Sequence, residues 1–286
     1  MSLLRDRMMR DMERAGLAPR TRYRYIRAVR LLARFHGQPP ETLTAEDIRA
    51  WDADLVRRGL NPISRIVYMA AVAFLYRRTL QRPEVVSFLV RPKIRRRLPT
   101  VLSPREVGRL LAAVRAPRYR AFFSLLYDTG LRISEAVALK VGDIDHPRGV
   151  IHVREGKGGE DRQVKLGNRL YEILRAYWRE ERMKVPHSEP FSKDSLVFAS
   201  VRGRPLCVVF AGKVIKAAAQ AAGITKRVTP HTLRHSFATA QMEAGTGLRV
   251  VQAQLGHASI RSTQIYLHVS THLILKAPSP LDALAP

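Results

Sequence analysis

Residues 91 to 99 read RPKIRRRLP, with two prolines and five basic side chains in nine positions and no apolar spacing that a helix or sheet could bury. Proline fixes its own φ and turns the preceding residue away from helix, and clustered like charges repel one another. Such a stretch is an extended, solvated connector. It divides the 286 residues into two bodies, 1–90 and 101–286, with 91–100 as a basic linker. Neither body needs a disulfide or a metal to hold a core of its own size.

The first body reads as all-helical. In RTRYRYIRAVRLLARF (20–35), Ile26, Val29 and Ala33 share one stripe, and Arg27, Arg30 and Arg34 share another at the same spacing. Thr44 followed by Asp47 is the pattern of a helix N-cap, with the helix ending at Gly59, and ISRIVYMAAVAFLYRRTL (63–80) continues helical spacing with no internal breaker. The second body opens on Ser103-Pro104-Arg105-Glu106, a capping box with proline at the first helical position, and a further helix covers Ala121–Tyr127. Between Val141 and Leu166 the period changes. VGDID, GVIHV and RQVKL alternate as strands, the last two joined by a glycine-rich turn. Helical spacing returns over 169–183, 208–222, 231–244 and 248–255, and the last ten residues, APSPLDALAP, are too rich in proline to continue a helix. The fold class expected is therefore mainly α with a small antiparallel β-sheet.

Charge narrows the partners. The chain carries 50 basic and 24 acidic residues, a net +26, and 40 of the basic residues are arginine, whose planar fork bonds phosphate bidentately. Nucleic acid is the leading partner class, and Arg22, Arg27, Arg30, Arg34, Arg95, Arg96 and Arg97 are the candidate DNA contacts. The single cysteine, Cys207, excludes an internal disulfide and a thiolate metal cage. No apolar run reaches the ~18 residues of a membrane helix, and acidic residues at Asp6, Asp11 and Glu13 spoil a signal peptide, so a cytoplasmic protein with no membrane partner is expected.

The chemistry-bearing residues follow tight structural signals. Arg132 in TGLRISE lies just past a glycine at a helix start, where backbone N–H groups favour an anion, with Glu135 as its supporting carboxylate. Lys157 sits at the tip of the glycine-rich turn, His231 and Arg234 share a helix face in HTLRH, His257 follows a glycine helix cap, and Tyr266 falls in a short helix after Ser259. His231 and His235 have a metal-ligand spacing, but Thr232 stands where a metalloprotease has its glutamate, and no phosphate-binding loop of the GxxxxGK type is present. No metal and no cofactor is expected. His235 and His268 are read as structural.

The segments TGLRISEAVALKVGDID, GKGGEDRQV, HTLRHSFAT and LGHASIRSTQIYLHV resemble the sequence boxes of the tyrosine recombinase (phage integrase) family, above all its Xer-like and transposon-associated bacterial members. The resemblance implies a SAM-like core-binding domain followed by a mixed α/β catalytic domain. It implies that Arg132 and Arg234 clamp the scissile phosphate, that Tyr266 is the nucleophile, and that His231, Lys157 and His257 complete the set. In this scheme His231 accepts the tyrosine proton, Lys157 donates to the leaving 5′ oxygen and His257 hydrogen-bonds the phosphate. The implied activity is site-specific DNA recombination through a 3′-phosphotyrosyl intermediate and a Holliday junction, for integration, excision or resolution. The implied partner is double-stranded DNA with inverted half-sites, bound by a dimer at each site and a tetramer in the synapse, with a partner recombinase or DNA-bending protein as possible additions. A topoisomerase IB-like nicking-closing enzyme and a catalytically silent directionality factor are the alternatives.

Overall fold

Helical spacing in the first ninety residues becomes four helices: α1 (Ser2–Arg14), α2 (Pro19–His36), α3 (Ala45–Arg57) and α4 (Pro62–Phe74). The computed structural model describes residues 2–90, 98–154, 161–183, 191–200, 203–257 and 259–266. Thr44 caps α3 through a reciprocal box, its N–H donating to Asp47 Oδ2 at 2.8 Å. On α2, Val29, Leu32 and Ala33 are buried while Arg27, Arg30 and Arg34 are exposed, so one face packs and the other is cationic. The core gathers Met8, Met12, Leu32, Trp51, Val72, Leu75 and Tyr76. The uninterrupted helix expected over 63–80 is instead α4 followed by a π-turn, Leu75–Thr79. The widened turn lies where Leu75 and Tyr76 enter the core, and the Tyr76 hydroxyl donates to the Pro40 carbonyl at 2.6 Å.

The chain divides into two compact units, Met1–Arg96 and Arg97–Pro286. The second is built around α6 (Pro117–Thr129), which buries Phe122, Phe123, Leu125 and Leu126 and is flanked by α5 (Pro104–Ala113), α8 (Asn168–Tyr177) and α10 (Pro230–Glu243). Ser103 and Glu106 form the capping box that starts α5. α6 begins four residues ahead of the expected Ala121, because Pro117 occupies a first-turn position whose missing N–H costs nothing. α7 (Ile133–Ala138), α9 (Val208–Ala221) and α11 (Leu248–Leu255) complete the helices among the described residues.

Strands β1 (Ile144–Asp145), β2 (Val150–Val153) and β3 (Arg162–Lys165) form an antiparallel sheet in the order β1-β2-β3, with buried Ile151 opposite buried Val164. The fold is thus mainly helical with one small antiparallel sheet. The expected strand VGDID is mostly not a strand. Residues Val141–Asp143 form a 3-10 turn, because the Asp143 carboxylate accepts the Lys140 N–H at 3.0 Å and pairs with Arg154 at 2.7 Å, closing the chain back on itself. Among the described residues no helix is long and apolar enough to cross a membrane.

Candidate active site

The last carbonyls of a helix lack intrahelical partners and carry the negative end of its dipole. At the C-terminus of α11 three consecutive carbonyls each take a guanidinium. Arg162 Nε donates to the Gln254 oxygen at 2.8 Å, Arg234 Nη2 to Leu255 at 2.7 Å and Arg132 Nη2 to Gly256 at 2.7 Å. These arginines come from β3, α10 and the loop before α7, so one helix end gathers three parts of the sequence. Gly256 closes α11 at φ 59°, and a Cβ there would lie 3.0 Å from Arg162 Nη1. Gly130 ends α6 in the same left-handed conformation at φ 64°, where a Cβ would run into the Phe237 ring, and its carbonyl accepts Arg234 Nη1 at 2.6 Å.

Glu135 is the carboxylate of this cluster. It accepts the Arg132 N–H and Nη1, each at 2.7 Å, and Arg162 Nη1 and Nη2 at 3.0 and 2.7 Å. Burial raises its pKa, but the Arg162 and Arg132 bonds outweigh that and hold it below the usual glutamate value. Three guanidiniums against one carboxylate leave an excess of positive charge. Burial, then Arg132, lowers the Arg234 pKa to about 10, which still leaves it charged at neutral pH. The sequence expectation is that the start of α7 offers its N–H groups to an anion. Glu135 takes the N–H of Arg132 itself, the residue that precedes the helix, and Arg132 adds the charge of its side chain there.

The imidazoles lie around Arg234. His257 Nδ1 is 2.9 Å from Thr263 Oγ1, and burial followed by Arg234 and Arg132 lowers its pKa to about 4. His231 is exposed at the first turn of α10, and partial desolvation, Arg234 and Arg132 lower its pKa. Tyr266 ends a 3-10 turn, Gln264–Tyr266, and is 1% exposed among Phe237, Ala238, Met242, Val251 and Leu255. Burial raises its pKa against the opposing pull of Arg234. Its hydroxyl lies 2.9 Å from Nδ1 of His235.

The structure therefore brings Arg132, Glu135, Arg234, His257 and Tyr266 to one place, with His231 beside them. Lys157 lies outside the described residues, as do Arg95, Arg96, Arg97 and His268. In the N-terminal unit Arg22 is drawn into an ion pair with Glu13 and is 19% exposed, unlike the outward Arg27, Arg30 and Arg34. Two residues at the site are not among those the sequence points to. His235, read as structural, meets the phenol. Arg162 is the other, although it heads β3 on the same face as buried Val164, with buried Leu166 just past the strand, and an arginine heading an apolar face demands a partner. Among the described residues no three of His, Cys, Asp and Glu gather as a metal site.

The model of the phage integrase family matches residues 100–272, and that of the phage integrase N-terminal SAM-like domain matches residues 4–84. The chain belongs to the phage integrase family. It is a tyrosine recombinase, a DNA strand-transferring enzyme of site-specific recombination. A putative integrase/recombinase of Sinorhizobium fredii is 38% identical over 99% of this chain and 90% of its own length. The tyrosine recombinase XerD of Staphylococcus saprophyticus is 41% identical, over 65% of this chain and 63% of that one. Among solved structures, the Tn1549 transposon integrase in complex with circular intermediate DNA covers 92% of this recombinase and 94% of its own chain, with a TM-score of 0.70 and 20% identity, a likeness of fold.

Proposed function

We propose that this recombinase cleaves one strand of duplex DNA by attack of Tyr266 on a phosphodiester held by Arg132 and Arg234. The observation that carries the reading is the three-arginine, one-carboxylate cluster at the end of α11, with the nucleophile's hydroxyl bonded to a histidine on the same helix as Arg234. The tethers to Leu255, Gly256, Gly130 and Glu135 use one N–H on each terminal nitrogen of Arg132 and Arg234, and each such nitrogen carries a second. Those second N–H groups are the donors for the non-bridging oxygens. Because the guanidiniums are fixed before substrate arrives, they stabilise the charge of the pentavalent transition state without reorganising.

His257 adds a hydrogen bond to the phosphate, and Lys157 supplies the proton for the departing 5′ oxygen. The 3′-phosphotyrosine keeps the energy of the broken bond, so a second 5′ hydroxyl can reseal the strand without ATP. Two molecules on inverted half-sites, and two such pairs in a synapse, exchange strands through a Holliday junction. The exposed arginines of α2 meet phosphates of the same duplex. The segment Leu273–Leu284, which lies outside the described residues, is the part of the chain that docks on an adjacent protomer, and removing residues 272–286 abolishes synapsis.

The test is capture. Wild type and Tyr266→Phe are expressed with a genomic-fragment library, and denaturant-stable adducts are isolated and their DNA sequenced. The reading expects adducts at a discrete site in wild type, formed equally with EDTA, and none in Tyr266→Phe. Adducts that persist in the variant contradict it, and relaxation of supercoils without strand exchange supports a nicking-closing enzyme instead.

A further inference from the structure

Helix α10 carries His231, Arg234 and His235 within five residues, and the last of these is the one that reaches the nucleophile. His235 Nδ1 is 2.9 Å from the Tyr266 hydroxyl, with ring centroids 5.8 Å apart. Among the described residues no other hydrogen bond joins that hydroxyl to a side chain or carbonyl. With its ring proton on Nε2, His235 presents a lone pair at Nδ1 and the phenol donates to it. Tyr266 is 1% exposed, so bulk water does not stand ready to take its proton. His231 lies one turn earlier on α10 and is exposed.

We propose that His235 is a catalytic residue of this recombinase, the group that takes the Tyr266 proton when the phenol oxygen attacks phosphorus. The inference rests on the reading of Tyr266 as nucleophile. In the step the Tyr266 oxygen–phosphorus bond forms as its O–H bond breaks toward Nδ1. The bond from phosphorus to the 5′ oxygen breaks, and that oxygen leaves with the proton supplied by Lys157. Resealing runs the transfer backward, returning the proton from His235 to Tyr266. His231 then serves as a hydrogen-bond donor to the phosphate.

The charged and titratable groups facing His235 are His231 and Arg234 on α10, His257 after α11, and Tyr266 itself. Burial, then His231, then Arg234, hold the His235 pKa down to about 4, so in the free protein the imidazole is neutral and able to accept. A phosphodiester bound against Arg234 and His231 cancels the like-charge part of that depression. The acceptor gains basicity when the substrate arrives, and the phenol keeps its proton until then.

The experiment uses the full chain and the captured duplex, with sulfur replacing the bridging 5′ oxygen at the mapped phosphate, because a thiolate departs without a proton donor. Single-turnover adduct formation is followed from about pH 4 to about pH 9 for wild type, His235→Asn and His231→Gln. Asn keeps an acceptor near the Nδ1 position but cannot hold a proton. The expected result is a rate limb that falls at acid pH in wild type and in His231→Gln. In His235→Asn the limb is absent and the rate lower by about 10²-fold. Replacing tyrosine throughout by a more acidic fluorotyrosine should restore much of the His235→Asn loss, a rescue that a folding defect would not show. A His235→Asn enzyme with the wild-type rate and limb overturns the proposal, as does a limb lost in His231→Gln and kept in His235→Asn. An adduct persisting in Tyr266→Phe overturns the nucleophile assignment itself, and this role with it.

Discussion

Arg234 is 4% exposed, and a charge so buried is tolerated only because its terminal nitrogens bond the carbonyls of Gly130 and Leu255. A lysine carries one ammonium on a flexible stem and cannot hold both carbonyls while facing a phosphate. Arg234→Lys is therefore expected to slow adduct formation by about 10²- to 10³-fold while changing DNA affinity only a few-fold, read by single-turnover cleavage beside equilibrium binding. The histidines give a pH signature. His235 and His257 titrate near 4 in the folded chain, against about 6.5 when unfolded. The unfolded state binds more protons in that interval, so stability present above it is lost as pH falls from about 6.5 toward about 4. Denaturation midpoints should drop across this window, and the slope should flatten in His257→Asn. Arg132, Arg234, His257 and Tyr266 could be picked out in the sequence because each lies in a box that resembles those of the family, in the family's order. The roles of His235 and Arg162 could not, since they depend on which residues meet at the end of α11, a long-range arrangement that no local pattern encodes.

At the scale of elements, α11 is the organiser: its C-terminus anchors an arginine from each of three other segments. That anchoring requires Gly256, which adopts φ 59° beneath the Arg162 guanidinium. Gly256→Ala is expected to cost about 1–2 kcal/mol from the left-handed backbone alone, seen as a lowered Tm, and to reduce cleavage further by displacing Arg162. An unchanged Tm and cleavage rate would mean that the α11 terminus tolerates a different geometry. Helices starting at Thr44 and Ser103 were legible because side chain and backbone satisfy each other within four residues. The π-turns after α4 and α8 were not, because nothing local distinguishes Leu75–Thr79 or Trp178–Arg182 from ordinary helix. In the latter, buried Arg182 lies 5.4 Å from the ring centroid of Trp178, at the other end of the same turn, and 4.8 Å from that of Phe191. The strand expected at VGDID failed for a related reason, since Arg154 is eleven residues from the Asp143 it draws into a turn.

Across the whole molecule a net charge of +26 makes DNA affinity depend steeply on salt. Each neutralised phosphate contributes a slope of ~0.9 in log affinity against log salt. Replacing Arg27, Arg30 and Arg34 together by glutamine should lower that slope by roughly one for each phosphate left without its arginine. An unchanged slope would remove the α2 face from the interface. The most direct measurement of the central claim is the chemical identity of the covalent link. Adducts formed on the captured duplex are digested with nuclease and protease, and the peptides are sequenced by mass spectrometry. A nucleotide 3′-phosphate remnant on Tyr266, with the other eight tyrosines unmodified, is the result expected. A remnant on any other residue, or a 5′-phosphate linkage, would contradict it.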